Sequence, residues 1–403
     1  MTEKSTWFRV IGEIMNLKQK EFFKNFKLSM LGVSALIVFT IYNTSKYGAS
    51  LSWLLIPFFL VLFFGVTAPS LRIKATTLLL FLLWAAFFIS TMFSSYTKLQ
   101  SNIVTFFCFC LLYIIAVAMP YSEKNIKAFI SLYIFVTFTC ICNVLFHWII
   151  RDYYVAYFER ASFKFLGVYK DPNYTMAFIV PGAYFAFVRA LTATNKSSKF
   201  LNFLVFIGAL VSCVATGSRS SVLTLFGSVL VFFLFFRGHT MKQKIRIALI
   251  AICGGLFVLW LSIAFLPTHA IERFFQFTED SSRQDLWSSA VKVFLENPII
   301  GGGMGAGTLV SRFEVGNDSH NVFLDILCDS GLIGVTSFIL FFGLNCCRCK
   351  KNNCCYLFGA IVAFMLPMAF INGFNTATFY FPLILLTMIS QRFEKGIDYK
   401  SIC

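Results

Sequence analysis

The strongest constraint on this chain is a series of apolar runs that are as long as a bilayer is thick. A membrane-spanning helix needs roughly 20 mostly apolar residues. The 403 residues are 58% hydrophobic and 13% charged, with a mean hydropathy of +0.77, whereas about 25% of a soluble globular chain is charged. The sequence therefore predicts an all-α, polytopic integral membrane protein with about 12 transmembrane helices, at residues 28–42, 51–68, 73–93, 102–119, 127–150, 173–190, 200–215, 220–236, 245–265, 321–344, 354–371 and 375–391.

The distribution of basic residues orients these spans. If both termini are cytoplasmic, the predicted inner segments hold 23 of the 34 Lys and Arg residues but only six of the 18 Asp and Glu residues. This asymmetry follows the positive-inside rule. We therefore attribute the net charge of +16 to membrane topology, and we expect no nucleic-acid partner. The first 27 residues lack the apolar core and cleavage site of a signal peptide.

One membrane domain with two outer loops of note accounts for the whole chain. The first loop covers residues 151–172, and the second is far longer than any other. Loops of such length in a compact protein are usually functional. We divide the chain into a cytoplasmic N-terminal segment, transmembrane helices 1–9, a large periplasmic loop, transmembrane helices 10–12 and a cytoplasmic tail, at residues 1–27, 28–265, 266–320, 321–391 and 392–403.

The large loop contains a predicted helix of its own. In RQDLWSSAVKVFLEN, six apolar residues between Leu286 and Leu295 recur at helical spacing. Ser281 or Ser282 can cap the start of this helix, and Asn297-Pro298 ends it. The pattern predicts an amphipathic helix along the outer membrane face, which makes this a helical extracytoplasmic loop.

The glycine-rich stretch GGGMGAG follows at residues 301–307. A nucleotide-binding loop would need a following Lys-Ser/Thr and a preceding strand, and this stretch has neither. We interpret it as a flexible hinge before the tenth span. Its backbone N–H groups could also contact an anionic ligand.

Cysteine usage indicates reduced thiols. None of the 13 cysteines falls in a predicted outer loop, and five cluster in CCRCKKNNCC, residues 346–355. That cluster has one C-x2-C pair but neither a second spaced pair nor a histidine, so a zinc site is the weaker interpretation. We predict no metal and no cofactor.

Three polar residues mark the outer boundary of the predicted spans. Arg219 lies in ATGSRSSV between two spans, Arg283 opens the amphipathic helix, and His320 precedes the tenth span. The guanidinium fork suits phosphate oxygens, and histidine can take a proton from an alcohol near neutral pH. Each also has an ordinary explanation, since an interfacial arginine can reach lipid headgroups and the other two can be solvated surface. Together they favour a transfer site for an activated lipid-phosphate donor.

The order of several short motifs resembles the O-antigen ligase and O-antigen polymerase family of bacterial inner-membrane transferases. The family pattern H-N-x9-G-x-x-G corresponds to His320, Asn321, Gly331 and Gly334. Similar family segments are GVYKDPNY, TGSRSS, RQDLW and NPIIGGG, at residues 167–174, 216–221, 283–287 and 297–303. The resemblance covers about residues 165–340.

This resemblance implies a metal-independent, inverting transfer from an undecaprenyl-diphosphate-linked glycan. Arg219 and Arg283 would bind the donor diphosphate, and His320 would accept the proton of the acceptor hydroxyl. Arg160, Lys164 and Lys170 are candidates for further positive charge, and Asn321 is a candidate secondary residue; solvated surface is the alternative for the first-loop residues. The implied partners are the lipid-linked donor, a lipid-linked glycan or lipid A–core acceptor, and a chain-length regulator or flippase.

Helical geometry relates the remaining motif residues to His320. On a helix that begins there, Gly331 and Gly334 lie about 20° and −40° from His320, on its own face. They could admit a neighbouring helix or the polyprenyl chain, or Gly331 could kink the helix. Asp325 and Asp329 project about 140° and 180° away. We predict that they do not orient the imidazole ring and that the helix dipole favours them.

We consider three interpretations of the function, and the acceptor separates the first two. A polymerase joins the glycan to another lipid-linked unit, and a ligase transfers it to lipid A–core. The Asp171-Pro172-Asn173 run resembles capsule and O-antigen polymerases more than ligases, so the resemblance favours the polymerase. A transporter or flippase is the alternative of another class, but it usually shows two related halves and ionisable residues near the midplane. We expect a multi-pass protein of the bacterial inner membrane, with its active site facing the periplasm.

Overall fold

A computed structural model describes residues 75–95, 121–156, 159–235, 281–315, 319–351, 355–371 and 377–393, with scattered residues of 30–42, 109–117 and 240–260. The described chain is mostly helical. Its α-helices are α1 Ala75–Met92, α2 Glu123–Ile149, α3 Pro172–Thr192, α4 Lys196–Thr216, α5 Arg219–Phe235, α6 Ser281–Glu296, α7 Ala306–Val315, α8 Val322–Lys351, α9 Cys355–Met365 and α10 Ala377–Phe393. A 3₁₀ turn at Leu366–Phe370 follows α9, and β1 (Lys164–Phe165) pairs antiparallel with β2 (Val168–Tyr169).

Five of the described helices are long and apolar enough to cross a membrane: α1, α2, α3, α4 and α8. Helices α5 and α10, and α9 with its 3₁₀ turn, are shorter apolar helices. The five long helices and the three shorter ones correspond to eight of the predicted spans. The span predicted at 51–68 lies outside the described residues, and those at 102–119 and 245–265 lie there in large part. Most residues of the span predicted at 28–42 are described, and they are helical up to Ile41. The all-α membrane class is confirmed, while the total of twelve stays a prediction.

Helix α3 forms the centre of the helix bundle. Most of its residues are buried, and it packs against α2, α4, α5 and α9. Close approach to α2 depends on Gly182, because a Cβ there would overlap the hydroxyl of Thr137. Tyr133 donates a hydrogen bond to the carbonyl of Phe178 (2.6 Å) and packs edge-on against Phe381. Buried aromatic rings therefore fill this core.

Helices α3, α5 and α8 all begin at the same end of the bundle. Ser218 bonds Asn173 at the starts of α5 and α3, and Phe232 packs on Phe187 further along both helices. Helix α9 runs back along α5, since Phe358 stacks on Phe235 (4.6 Å between centroids) and Val362 faces Gly227. Helix α8 ends just before α9 begins, so α8 also starts where α5 starts. We name this the site end.

Helix α8 is broken at Gly331, whose φ of 61° and ψ of −162° interrupt the helix. The loop segment Pro298–Gly303 supplies the missing partners. Leu332 N and Ile333 N donate to the carbonyls of Pro298 and Ile299, at 2.9 and 3.3 Å. Gly302 N and Gly303 N donate to the carbonyls of Cys328 and Asp329, at 2.8 and 3.1 Å. These four bonds satisfy backbone groups that the kink leaves without partners within α8, and unsatisfied groups of this kind are costly inside a membrane.

Two predictions about this region are corrected by the structure. The stretch at residues 301–307 is no flexible hinge: Gly301–Gly303 are buried, and α7 begins at Ala306. The backbone N–H groups of Gly305 and Gly307 donate to the side-chain oxygens of Asp329. Gly331 produces the kink that was the second interpretation, and a Cβ there would overlap Ile299 O.

Candidate functional site

Arg219 begins α5 immediately after a tight turn. Gly217 caps α4 with a φ of 60°, a left-handed conformation that glycine adopts without strain. Ser218 is buried, and its hydroxyl lies within hydrogen-bonding distance of Ser221 (2.7 Å) and Asn173 (3.3 Å). Arg219 itself is half-buried and carries its charge at the site end.

The loop between α2 and α3 packs against this turn. Arg160 is buried, and its Nε donates to the carbonyl of Thr216 (2.7 Å), one of the last carbonyls of α4. Ala161 N donates to the carbonyl of Ala215 (3.0 Å). A cation suits the carbonyl end of a helix. Arg160 therefore has a structural role, and it lies about 4 Å from the Cβ position of Gly217, within the same turn.

Lys170 reaches inward from the same loop. Its ammonium donates to the carbonyl of Thr40 (3.0 Å), and although the residue as a whole is half-buried, the charged group is enclosed. This burial lowers the pKa of Lys170 from its ordinary value to about 8. Lys170 thus joins the first loop to the segment that contains Thr40.

Lys164 supplies no unpaired charge, because Asp152 pairs with it at 2.7 Å. Asp152 also accepts the hydroxyl of Tyr169, and it contacts His147 Nδ1 at 2.9 Å. The hydrogen bonds from Lys164 and Tyr169 lower the pKa of Asp152 to about 2. The ammonium of Lys164 lies 4.5 Å from the centre of the Tyr169 ring. This network fastens the β1–β2 hairpin to the end of α2.

His320 occupies an uncommon backbone conformation just before α8. Its φ of 50° is left-handed, which costs a side-chain-bearing residue about 1 kcal/mol. The next residue, Asn321, is the N-cap: its side-chain oxygen accepts from Phe323 N and Leu324 N, each at 3.1 Å. His320 is half-buried, so part of its surface faces solvent. The cap explains why the motif needs Asn321 without assigning it chemistry.

Helix α6 is tied directly to the turn that contains His320. The indole Nε1 of Trp287 donates to the carbonyl of Ser319 at 3.0 Å. Arg283 lies four residues before Trp287, so both stand on the same face of α6, about 6 Å apart along its axis. The side chain of Arg283 lies outside the described part of the structure. The predicted helix is confirmed at Ser281–Glu296, but its apolar face packs against α7 and α8.

Two buried carboxylates organise this region, and their role differs from the sequence prediction. Asp325 accepts the hydroxyls of Ser319 and Thr308, and Asp329 accepts Gly305 N (2.6 Å) and Gly307 N (3.1 Å). Asp325 lies in the first turn of α8, where the helix dipole favours an acid, and the hydrogen bonds add a second reason for its position. The signal of both acids in the sequence was the cost of placing an acid inside an apolar span, which demands partners.

The structure therefore brings the candidate residues together in two groups. Arg219, Arg160 and Lys170 belong to the turn and loop around the start of α5, while His320 and the first turn of α6 with Arg283 are joined through Trp287. Both groups lie at the site end. Convergence of the two guanidinium groups and the imidazole on one diphosphate stays a prediction.

Comparison with known proteins gives one match. Residues 204–339, about a third of the chain, match the family model described as O-Antigen ligase. Those residues include Arg219, Arg283, His320 and the kinked part of α8. No curated protein matches the chain, and no solved structure matches it.

Proposed function

Since residues 204–339 carry the O-antigen ligase domain, the chain belongs to the O-antigen ligase and polymerase family, and on this premise we propose that it is a membrane glycosyltransferase. Its donor is an undecaprenyl-diphosphate-linked glycan, and its favoured acceptor is a second lipid-linked unit of O-antigen or capsular polysaccharide. The observation that carries this proposal is that Arg219 and His320 stand at the starts of two helices that begin at the site end, with the helix of Arg283 bonded to the His320 turn.

Each group has one role in the proposed reaction. His320 takes the proton of the acceptor hydroxyl as the oxygen attacks the anomeric carbon of the donor sugar. The new glycosidic bond forms as the bond to the diphosphate oxygen breaks, and the departing oxygen keeps the electron pair. Attack from the opposite side inverts the anomeric configuration. Arg219 and Arg283 stabilise the charge that develops on the polyprenyl diphosphate.

The choice of acceptor is supported less directly. Asp171-Pro172-Asn173 favours a polymerase by resemblance, but the run also has a structural task. Asp171 caps α3 by accepting Asn173 N (2.7 Å), and Asn173 accepts from Ser218 (3.3 Å). The description of the matched family supports a ligase that transfers the glycan to lipid A–core as the second candidate. A transporter is disfavoured, because both buried carboxylates in α8 are engaged by protein donors.

The proposed location is the bacterial inner membrane, with the site end on the periplasmic side. The apolar helices support a membrane protein, and the charge asymmetry supports this orientation. A chain-length regulator or a flippase is a candidate partner for the same pathway of lipid-linked glycan.

Gene deletion with complementation tests the function. Strains that carry His320→Ala should show the glycan pattern of the deletion strain on a gel, while Lys292→Ala should restore the normal pattern at equal protein level. Lys292 is a matched control, because it lies on α6 and pairs with Glu314 across the surface. A normal pattern with His320→Ala would contradict the proposed base.

The same gel separates the two acceptors. Loss of chains beyond one repeat unit indicates a polymerase, and long lipid-linked chains that never reach lipid A–core indicate a ligase.

With purified protein, a chelator should leave the transfer rate unchanged. A loss that a divalent cation restores would contradict a metal-independent reaction.

A further inference from the structure

We propose that Ser319 and Asp325 are positioning residues that hold His320 in its left-handed conformation and so aim its imidazole at the acceptor hydroxyl. The inference rests on the proposed function, in which His320 is the base. Neither residue is one of the four defined positions of the H-N-x9-G-x-x-G pattern: Ser319 precedes it, and Asp325 lies within its x9 stretch. The structure supports it in four steps.

The first step is the conformation of His320. Non-glycine residues with positive φ are uncommon, and they persist only where the surrounding structure enforces them. At a φ of 50°, His320 lies between Ser319 and the helix cap Asn321. Because this conformation is strained for a side-chain-bearing residue, we expect the neighbours on both sides of His320 to be held in place.

The second step is the attachment of Ser319 through its carbonyl and its hydroxyl. Its carbonyl accepts the indole N–H of Trp287 (3.0 Å), and its hydroxyl donates to Asp325 Oδ1. Ser319 is fully buried, so neither bond competes with water. Breaking either would leave a buried polar group unsatisfied, which costs more than an exposed bond.

The third step is the attachment of Asp325 on the other side of His320. Its backbone N–H donates to the carbonyl of Asn321 (2.9 Å), within the first turn of α8. Its Oδ1 also accepts the hydroxyl of Thr308 from α7 (3.1 Å). Asp325 therefore joins the residue before His320, the residue after it and a second helix.

The fourth step is the result for the reaction. A base that is held in one direction avoids the cost of ordering when the acceptor arrives, and misplacement by 1 Å can cost about 100-fold in rate. His320 itself stays half-exposed, as a group that meets substrate must be. The hydrogen bonds of Ser319 and Asp325 therefore maintain the strained conformation of His320, and that conformation fixes the direction of its imidazole.

Stability measurements test the anchoring independently of activity. In the protein with Ser319 and Asp325 unchanged, His320→Gly should melt at a higher temperature than His320→Ala, because glycine adopts a positive φ without strain. In a Ser319→Ala or Asp325→Ala background this difference should vanish or reverse. In a Ser311→Ala background it should remain, since Ser311 is also buried and bonds α6 through the Leu286 carbonyl (2.8 Å). An equal melting temperature for His320→Gly and His320→Ala in the otherwise unchanged protein would overturn the proposal.

Kinetics of the purified protein test the positioning. Ser319→Ala and Asp325→Ala should lower kcat by 10- to 100-fold, with the donor KM unchanged within about twofold. Asp325→Asn should retain most activity, because the single amide oxygen can replace Oδ1, which accepts both hydroxyls. An Asp325→Asn protein as slow as Asp325→Ala, or a Ser319→Ala protein with normal kcat, would contradict the positioning role. A fully active His320→Ala would instead overturn the proposed function, and the melting temperatures would still decide whether the turn is anchored.

Discussion

At the scale of single residues, the proposed chemistry depends on guanidinium groups at two helix starts. Arg219 follows a glycine cap, and Arg283 lies one turn before Trp287 on α6. A guanidinium fork forms two parallel hydrogen bonds with phosphate oxygens, which a lysine ammonium cannot reproduce. The identity of the cation should therefore matter as much as its charge.

We predict that Arg219→Ala and Arg283→Ala each lower kcat by roughly 100- to 1000-fold, as expected for the loss of one group that stabilises a leaving oxygen. Arg→Lys at either position should recover less than a tenth of the normal rate. The measurement is glycan transfer by purified protein, with Lys292→Ala as the control from α6. A fully active Arg283→Lys protein would indicate simple charge attraction in place of paired hydrogen bonds.

The Asp152 network offers a residue-scale prediction about pH. The pKa of Asp152 in the folded protein is about 2, below its ordinary value of 3.8, so the ionised form favours the folded state. That stabilisation is complete above about pH 4 and is lost as the pH falls through 2. Because the Asp152 side chain is 34% exposed, solvent screening makes it small.

The test compares melting temperatures of the native protein and Asp152→Asn in detergent. The native protein should be slightly more stable from pH 5 to pH 7, and the two curves should converge between pH 4 and pH 2. A difference that stays constant down to pH 2 would mean that the Lys164 pair contributes nothing to stability.

At the scale of elements, the kink of α8 and the glycine-rich stretch are parts of one structure. The backbone from Pro298 to Gly303 crosses α8 where Gly331 breaks it. Ser94, just beyond the end of α1, donates to the Gly302 carbonyl of this segment, and Ser90 of α1 donates to the Asp329 carbonyl of α8 (2.6 Å). These two backbone segments can approach so closely only without Cβ atoms at the contact, since added Cβ atoms at Gly301 or Gly331 would overlap the opposing backbone.

We predict that Gly331→Ala destabilises the protein by at least about 2 kcal/mol and abolishes transfer, because backbone atoms cannot move aside as a flexible side chain can. Gly343→Ala is the matched control in the same helix, since a Cβ there meets nothing within 4 Å. Melting temperature and yield from the membrane measure the effect. Equal stability of the two variants would contradict the close contact described at Gly331.

Element by element, sequence reasoning worked where a local pattern decides the structure. Apolar runs located the described spans, and helical spacing located α6 between Ser281 and Asn297. It missed the β1–β2 hairpin, α7 and the packing of the glycines. Those features depend on contacts between distant residues, such as Gly302 with Cys328, and a local window does not contain them.

At the scale of the whole molecule, the directions of the helices agree with the charge pattern. Arg219 and His320 lie at one end of the bundle, while the turn between α3 and α4 lies at the other. The sequence could identify the residue types and their order, because charge near a span is readable locally. It could not identify Ser319 and Trp287 as residues that fix the turn before α8, because their roles arise from tertiary contact.

We predict that a short epitope inserted between Leu166 and Gly167 is reached by antibody on intact spheroplasts. The same epitope between Thr194 and Asn195 should be reached only after permeabilisation. Both insertions fall at exposed turns, so they perturb the fold to a similar degree. Labelling of the 194–195 insertion on intact spheroplasts would contradict the proposed orientation.

The crossing of Pro298–Gly303 over the broken helix has a consequence for anyone who exchanges parts between members of this family. A chimera that takes Pro298–Gly303 from one protein and α8 from another would pair carbonyl and amide groups that belong to different structures. Boundaries placed within residues 298–334 should yield poorly folded hybrids, whereas a block from 281 to 351 keeps these bonds within one piece. Exchange of this whole block between two proteins would show whether the preference for a donor glycan is transferred with it.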